Sequence, residues 1–178
     1  IATGGIWSGG AGTFDPSTTN MNATYTPTAA EIAAGSVTLT LTTTGNNGCT
    51  AVNDAVSYTF TPAPTANAGS DLNSCANNAS VALNGAITVA TGGLWTGGSG
   101  GFSPNNTALN ATYVPSAAEI AAGTATLTLT TVGNGLCSAV SDQVVVTIAP
   151  SPIVDAGTAQ SVCANNATLQ LNGSVLNA

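Results

Sequence analysis

The sequence contains no lysine, no arginine and no histidine. Each absence removes a class of function. Phosphate backbones are gripped mainly by Lys and Arg, so nucleic-acid binding is excluded. A phosphate-cradling P-loop needs its lysine, and the glycine-rich stretch GGIWSGGAG has none. Histidine-based catalytic triads and histidine metal sites have no residue to build them. Lys–Asn isopeptide cross-links and basic membrane-binding patches fall for the same reason.

Charge of any kind is scarce. Only 4% of residues are charged, and seven acids give a formal net charge of −7. Long apolar runs are also missing: no stretch approaches the 18 consecutive apolar residues of a transmembrane helix. A charged n-region followed by an apolar h-region is not found, so no signal peptide is read. The sequence opens on Ile1 and stops in SVLNA. That is expected of a window cut from a longer mature polypeptide, with targeting information outside the window.

What is present is Thr, Ala, Asn, Gly and Ser around a 43% hydrophobic fraction. Highly charged disorder does not have that composition. Apolar residues alternate with Thr in clean runs, as in half-buried strands. Four cysteines in a small β-rich chain point to an oxidising compartment; four buried thiols are the plainer alternative.

Internal repetition organises the whole chain. ATGGIWSGG at 2–10 returns as ATGGLWTGG at 90–98, and NATYTPTAAEIAAG at 22–35 as NATYVPSAAEIAAG at 110–123. Trp7 and Trp95 are 88 positions apart. Phe14 and Phe102, Tyr25 and Tyr113, Glu31 and Glu119, Cys49 and Cys137, Asp54 and Asp142, and Cys75 and Cys163 share that offset. The unit is 88 residues long, and the window holds about two. Proline-rich stretches at 61–69 and 149–157 read as stiff linkers, because proline donates nothing to a sheet. The expected division is a partial domain over 1–62 with its opening strands missing, a complete domain over 66–150, and the opening strands of a third over 151–178. The missing strands would come from the preceding chain segment or from a neighbouring subunit.

In the complete unit, 71–75 reads as a first strand and 80–89 as a second. GLWTG at 93–97 reads as a third, with Trp95 inside. Residues 98–111 read as an irregular connection carrying Phe102. PSAAEIAAG at 115–123 is the helical signal: Ser116 precedes Glu119 by three, a capping-box spacing, and Gly123 suits the C-terminal cap. Thr28, Glu31 and Gly35 repeat this grammar. Leu127 and Leu129 should face one way along 124–132, and GNG at 133–135 signals a hairpin turn. Val144, Val146 and Ile148 should point inward from a closing strand over 143–149. The fold class is therefore all-β, a tandem array of β-sandwiches with one short helical turn each.

This pattern (LW, YVP, ATLTLTTVGNGLC, SDQVVVTIAP) resembles the PKD-like and immunoglobulin-like repeats of giant secreted surface proteins of Bacteroidetes-type bacteria. The W-[ST]-G-G motif, PSAAEIAAG and the G-x-C hairpin are its most specific parts. The resemblance implies tandem spacer domains and secretion to the cell surface.

Candidate chemistry is thin. Trp7 and Trp95 could stack on a glycan, but a sandwich-core role suits them better, with Tyr25 and Tyr113 beside them as core residues. A glycosidase needs two carboxyls across one bond; each unit offers one Glu, already explained by helix capping at Thr28, Glu31, Ser116 and Glu119. Calcium candidates are Asp54, Asp142, Asp71 and Asp155, without any DxDxDG loop; capping of turn backbone is their other reading. Disulfides are expected. Cys75–Cys137 within a unit is preferred, leaving Cys49 and Cys163 for partners outside the window; Cys49–Cys75 with Cys137–Cys163 is the alternative. Asn22, Asn78, Asn105, Asn110, Asn166 and Asn172 fit the N-x-[ST] pattern.

These readings lead to a non-enzymatic, extracellular structural repeat of a fibre or giant adhesin, spacer or filament block. Its partners would be neighbouring repeats or identical subunits, with no cofactor beyond Ca2+. The alternative is a carbohydrate- or surface-binding module with an exposed aromatic patch.

Overall fold

The computed structural model describes residues 1–177. The chain forms two compact units, Ile1–Ala63 and Pro64–Ala178. In the first, β1 (Gly4–Ser8), β4 (Ser36–Thr44) and β5 (Asn53–Thr59) make a three-stranded sheet in the order β1-β4-β5. β2 (Thr13–Asp15) and β3 (Thr24–Thr26) make a separate ribbon, and α1 (Ala29–Ala34) links β3 to β4.

The second unit repeats this plan and adds to it. It holds β6 (Thr65–Asn67), β7 (Leu72–Cys75), β8 (Val81–Ala82), β9 (Ala86–Thr88), β10 (Gly92–Gly97), β11 (Gly101–Ser103), β12 (Thr112–Val114), α2 (Ala117–Ala122), β13 (Thr124–Val132) and β14 (Ser141–Ala149). A ribbon of β15 (Ile153–Asp155) and β16 (Ser174–Leu176) follows. One sheet runs β10-β13-β14-β7 and the other β11-β12-β8, while β6 pairs with β9. β10 to β14 start 88 residues after β1 to β5, in the same pairing order. The first unit holds no counterparts of β6 to β9, so each of its sheets is one strand narrower and the β6-β9 ribbon is not matched.

Period-2 alternation builds the core of the second unit. Along β13, Ala125, Leu127, Leu129 and Thr131 are buried, with Thr between them. Val144, Val146 and Ile148 do the same on β14. Val81, Leu83 and Tyr113 join them from the opposite sheet, with Phe102 and Leu72 half-buried at the margin. Trp95 lies in the middle with no exposed surface. The unit is thus an all-β sandwich of two open sheets.

Several sequence expectations are corrected. The single strand expected over 80–89 is two, β8 and β9, in different sheets. The break falls at Gly85, where a Cβ would stand 2.8 Å from the Trp95 ring and 2.9 Å from Leu129; only glycine lets the chain cross the tryptophan here. Phe102 sits on a strand, not in an irregular connection, its ring centroid 4.9 Å from that of Tyr113. Trp95 therefore occupies the fifth strand of its unit rather than the third. GNG opens a connection over 133–140 between β13 and β14 in place of a tight hairpin turn. The strand expected over 71–75 is present as β7, paired parallel to β14.

Leu127 has no exposed surface and belongs to the core cluster to which both sheets contribute. Leu127→Ala should destabilise the second unit by about 3 kcal/mol, through lost burial plus the cavity left behind. Urea unfolding followed by Trp95 emission measures it; a loss below about 1 kcal/mol would show that this core is not close-packed.

Candidate functional site: an uncovered aromatic groove

The glycine–tryptophan motif leads into a polar clamp. After Trp95, Gly97 and Gly98 take φ of 83° and 66°, in the left-handed region that favours glycine. A Cβ on Gly98 would collide with the Tyr113 hydroxyl and stand 2.9 Å from Glu119 Oε1. That close approach lets the loop wrap a carboxylate. Glu119 Oε1 accepts from Ser99 N at 2.9 Å and from the Tyr113 hydroxyl at 2.7 Å. Its Oε2 accepts from Ser116 N at 2.8 Å and Ser116 Oγ at 2.9 Å. Tyr113 Oη in turn accepts from Gly100 N at 2.9 Å. Ser116 caps α2 as the spacing requires, and Gly123 closes it at φ 76°. The first unit repeats the clamp with Tyr25, Glu31, Thr28, Ala11 N and Gly12 N.

These donors fix the protonation of both partners. Burial pushes the Glu119 carboxyl up, but the Ser116 N–H, the Tyr113 hydroxyl and the Ser99 N–H outweigh it and hold the pKa at about 2. Burial and the bond to Glu119 push Tyr113 up to about 12. Glu31 is likewise held at about 2, by the Thr28 N–H first and the Tyr25 hydroxyl second. A carboxylate so satisfied is a structural acceptor, poorly suited to proton transfer.

The four aspartates that were calcium candidates each serve backbone. Asp142 Oδ2 accepts from Ala68 N at 2.8 Å, and Asp71 Oδ1 from Val145 N at 2.9 Å, so the two tie the opening segment to β14 from both sides. Asp155 Oδ1 accepts from Gly157 N at 2.8 Å, the turn that Asn67 makes with Gly69 in the preceding copy. Asp54 accepts only from its own neighbour, Ala55 N, at 3.0 Å. Among the described residues no three acidic, Cys or His side chains gather as a metal cluster, so the calcium candidates are not brought together.

The expected cysteine pairing is also corrected. No disulfide forms among the described residues; Cys49, Cys75 and Cys163 are exposed and Cys137 is half-buried. Cys75 pairs with Ala149 at one end of β14, whereas Cys137 precedes the other end at Ser141. Eight residue steps of strand separate those ends, roughly 26 Å. A disulfide needs Cα atoms within about 7 Å, so Cys75 and Cys137 of one unit cannot bond.

A concavity lies in the first unit. Trp7, Phe14, Ala23, Tyr25, Val37, Leu39, Tyr58 and Phe60 line about 240 Å³. These are the counterparts of Trp95, Phe102, Ala111, Tyr113, Ala125, Leu127, Val146 and Ile148, the core of the second unit. Exposure separates the copies: Tyr58 is 52% exposed where Val146 is 0%, and Val56 is 36% exposed where Val144 is 1%. The core roles expected for Trp95 and Tyr113 are filled, while Trp7 and Tyr25 stay half-buried at the groove. Sequence reasoning missed the groove itself. The signal was there, in aromatic residues Tyr58 and Phe60 standing where the second copy has Val146 and Ile148.

No family model matches the chain, and no curated protein matches it. Among solved structures it is similar to protocadherin gamma B2 extracellular cadherin domains 3–6, at 14% identity over 88% of this chain and 44% of that one, with a TM-score of 0.39. It is similar to the protocadherin gammaB7 EC3–6 cis-dimer structure at 14% identity over 88% and 45%, also with a TM-score of 0.39. The chain spans less than half the length of either, and a likeness this loose carries no inference about it.

The clamp sets a pH window. Glu119 ionises at about 2 in the fold against an ordinary 4.5, so its contribution is complete above pH 4.5 and lost as pH falls toward 2. Tyr113 stays protonated to about 12 against an ordinary 10, so its contribution is lost as pH rises between those values. Thermal melts across pH should therefore show a plateau flanked by both losses. Glu119→Ala should cost the second unit about 2 kcal/mol and shrink the acidic limb to the part that Glu31 supplies; an unchanged acidic limb in that variant would place the titration elsewhere.

Proposed function

We propose that this chain is a structural repeat of an extracellular fibre or giant cell-surface adhesin of a bacterium, serving as spacer or filament block. One observation carries the reading. The second unit reproduces every element of the first at an offset of 88, and the added polar network serves only the fold. Its one Glu and the aspartates Asp71, Asp142 and Asp155 are occupied by backbone and hydroxyl donors among the described residues. A spacer needs identical, self-contained, inert units. The lack of Lys and Arg suits exposure outside a cell, since trypsin-like proteases find no site. With 4% charged residues, neighbouring copies also repel little.

The carbohydrate-binding reading requires an accessible tryptophan; Trp95 is fully enclosed, which speaks against it in the second unit, while Trp7 lies half-buried at the groove. In a Trp7→Phe variant, the remaining Trp95 emission should be blue-shifted, resistant to acrylamide and indifferent to sugars.

Immunogold electron microscopy of native material, with antibody raised against this chain, tests the fibre reading. Label spaced along extracellular fibres is the expected result. Label confined to compact isolated particles, or to the cell interior, would overturn it.

A further inference from the structure

We infer that Asn47–Gly48 is a site of spontaneous covalent modification, where the folded chain converts an asparagine into aspartyl and isoaspartyl forms, while the chemically identical pairs Asn84–Gly85 and Asn134–Gly135 are held intact by the fold.

The chemistry needs one side chain and the backbone next to it. The Gly48 nitrogen attacks Cγ of the Asn47 side chain. A bond forms between that nitrogen and Cγ, and the bond from Cγ to Nδ2 breaks. The proton of the attacking nitrogen leaves with the amine as ammonia, and a five-membered succinimide remains. One water then opens the ring. Opening at Cγ leaves aspartate; opening at the main-chain carbonyl leaves an isoaspartyl link, in which the chain runs through the side chain. No oxidant, cation or cofactor enters. Glycine suits the second position because it has no Cβ to block the approach.

Asn–Gly occurs at 47–48, 84–85, 134–135 and 172–173. Two of these pairs are restrained at the atoms that must move. Gly85 N donates to Leu109 O at 2.9 Å, and the Trp95 ring and Leu129 crowd Gly85 on its inner side, so the attacking nitrogen is occupied. At Asn134 the side chain is occupied instead. Its Nδ2 donates to Thr131 O at 3.2 Å, and its Oδ1 is buried. Asn172–Gly173 stands at the position of Asn84–Gly85 in the following copy, and peptide mapping reads it separately.

Asn47–Gly48 carries neither restraint. The first copy reads GNNGC where the second reads GNGLC. Asn46 takes the anchoring role of Asn134. Its Nδ2 donates to Thr43 O at 3.2 Å, and its O accepts from Cys49 N at 3.0 Å, as Asn134 O accepts from Cys137 N at 3.1 Å. The reactive pair is thereby moved one place along, onto the tip of the loop. Asn47 holds φ of 53°, in the left-handed position that Gly135 holds at 60°; asparagine is among the few side chains that tolerate it. Asn47 is exposed, and neither its amide nor Gly48 N makes a hydrogen bond among the described residues. A Cβ on Gly48 would meet nothing within 4 Å, so the attacking nitrogen has open space beside it. The tip is open in the second unit as well: Leu136, at the position of Gly48, is 104% exposed. Openness therefore belongs to the loop, whatever flanks the unit.

Each conversion adds one carboxylate to a chain whose formal charge is already −7 and which has no Lys, Arg or His to offset it. The isoaspartyl form also lengthens the backbone between β4 and β5 by one carbon.

The test uses the full folded chain, incubated at mildly alkaline pH and then digested briefly with pepsin in acid. Mass spectrometry of the peptides reads amide-to-acid conversion at each site, and a protein isoaspartate methyltransferase with a labelled methyl donor reads the isoaspartyl form. Asn47 should convert at least about tenfold faster than Asn84 or Asn134, because reaction at those two waits on local opening of the fold. In urea the three rates should converge. Asn47→Gly gives the first copy the turn of the second and creates an Asn–Gly pair that begins at Asn46. That pair should be as slow as Asn134, and methyl acceptance around residue 47 should vanish. Equal rates at the three sites in the folded chain would overturn the inference. So would rapid conversion at Asn46 in the variant, since an anchored side chain would then give no protection. An Asn47 that reacts far more slowly in the folded chain than in urea would overturn it too, because the tip would then be closed.

Discussion

The sandwich depends on one meeting: the segment over 64–88 must lie across the sheets built from 91–149. Neither part has a closed core without the other. Trp95 reaches zero exposure because Gly85 lets the first segment pass over its ring, and Val81 and Leu83 seal the side where Trp7 is left open. Two of the four aspartates that looked like cation ligands hold this same seam. Asp142 takes a backbone N–H from the opening segment, and Asp71 takes one from β14. The clamp of Tyr113 and Glu119 governs a different part of the unit: it folds the glycine loop and α2 against β12. That clamp forms in both copies.

A buried acid in a chain without cations has to find neutral donors. Glu119 finds them in two backbone N–H groups and two hydroxyls, and its acidity falls accordingly. The loop must come within bonding distance to supply Ser99 N, and the left-handed Gly97 and Gly98 make that approach. The W-[ST]-G-G motif is therefore half core and half loop. Its Trp fills the interior and its second glycine pair serves the carboxylate.

Much of this was legible in the letters. The 88-residue offset, both capping boxes with their glycine stops, and the inward faces at Leu127, Leu129, Val144, Val146 and Ile148 follow from local rules that need no tertiary information. The failures are tertiary. The apolar alternation over 80–89 runs straight through Gly85, so nothing local says that the chain changes sheets there. Two- and three-residue strands such as β8, β11 and β12 are too short to show a period. Cysteine spacing could not reveal that Cys75 and Cys137 lie at opposite ends of β14, because that depends on the parallel register of β7. The groove left only a local sign, Tyr58 and Phe60 where the second copy has Val146 and Ile148; that Tyr58 is exposed and Val146 buried is again tertiary.

That parallel register has a mechanical meaning. β7 lies near the start of the second unit and β14 at its end, and they run in the same direction, from Leu72 beside Val146 to Cys75 beside Ala149. Tension applied to the two ends of the unit pulls β7 backward and β14 forward along their common axis. The backbone bonds between them are then loaded in shear, all together, instead of being peeled one at a time. The bonds from Asp142 to Ala68 N and from Asp71 to Val145 N lie along the same seam and share the load. A chain pulled from its ends meets its resistance where its first strands and its last strand are joined, and the rest of the sandwich stays behind that catch.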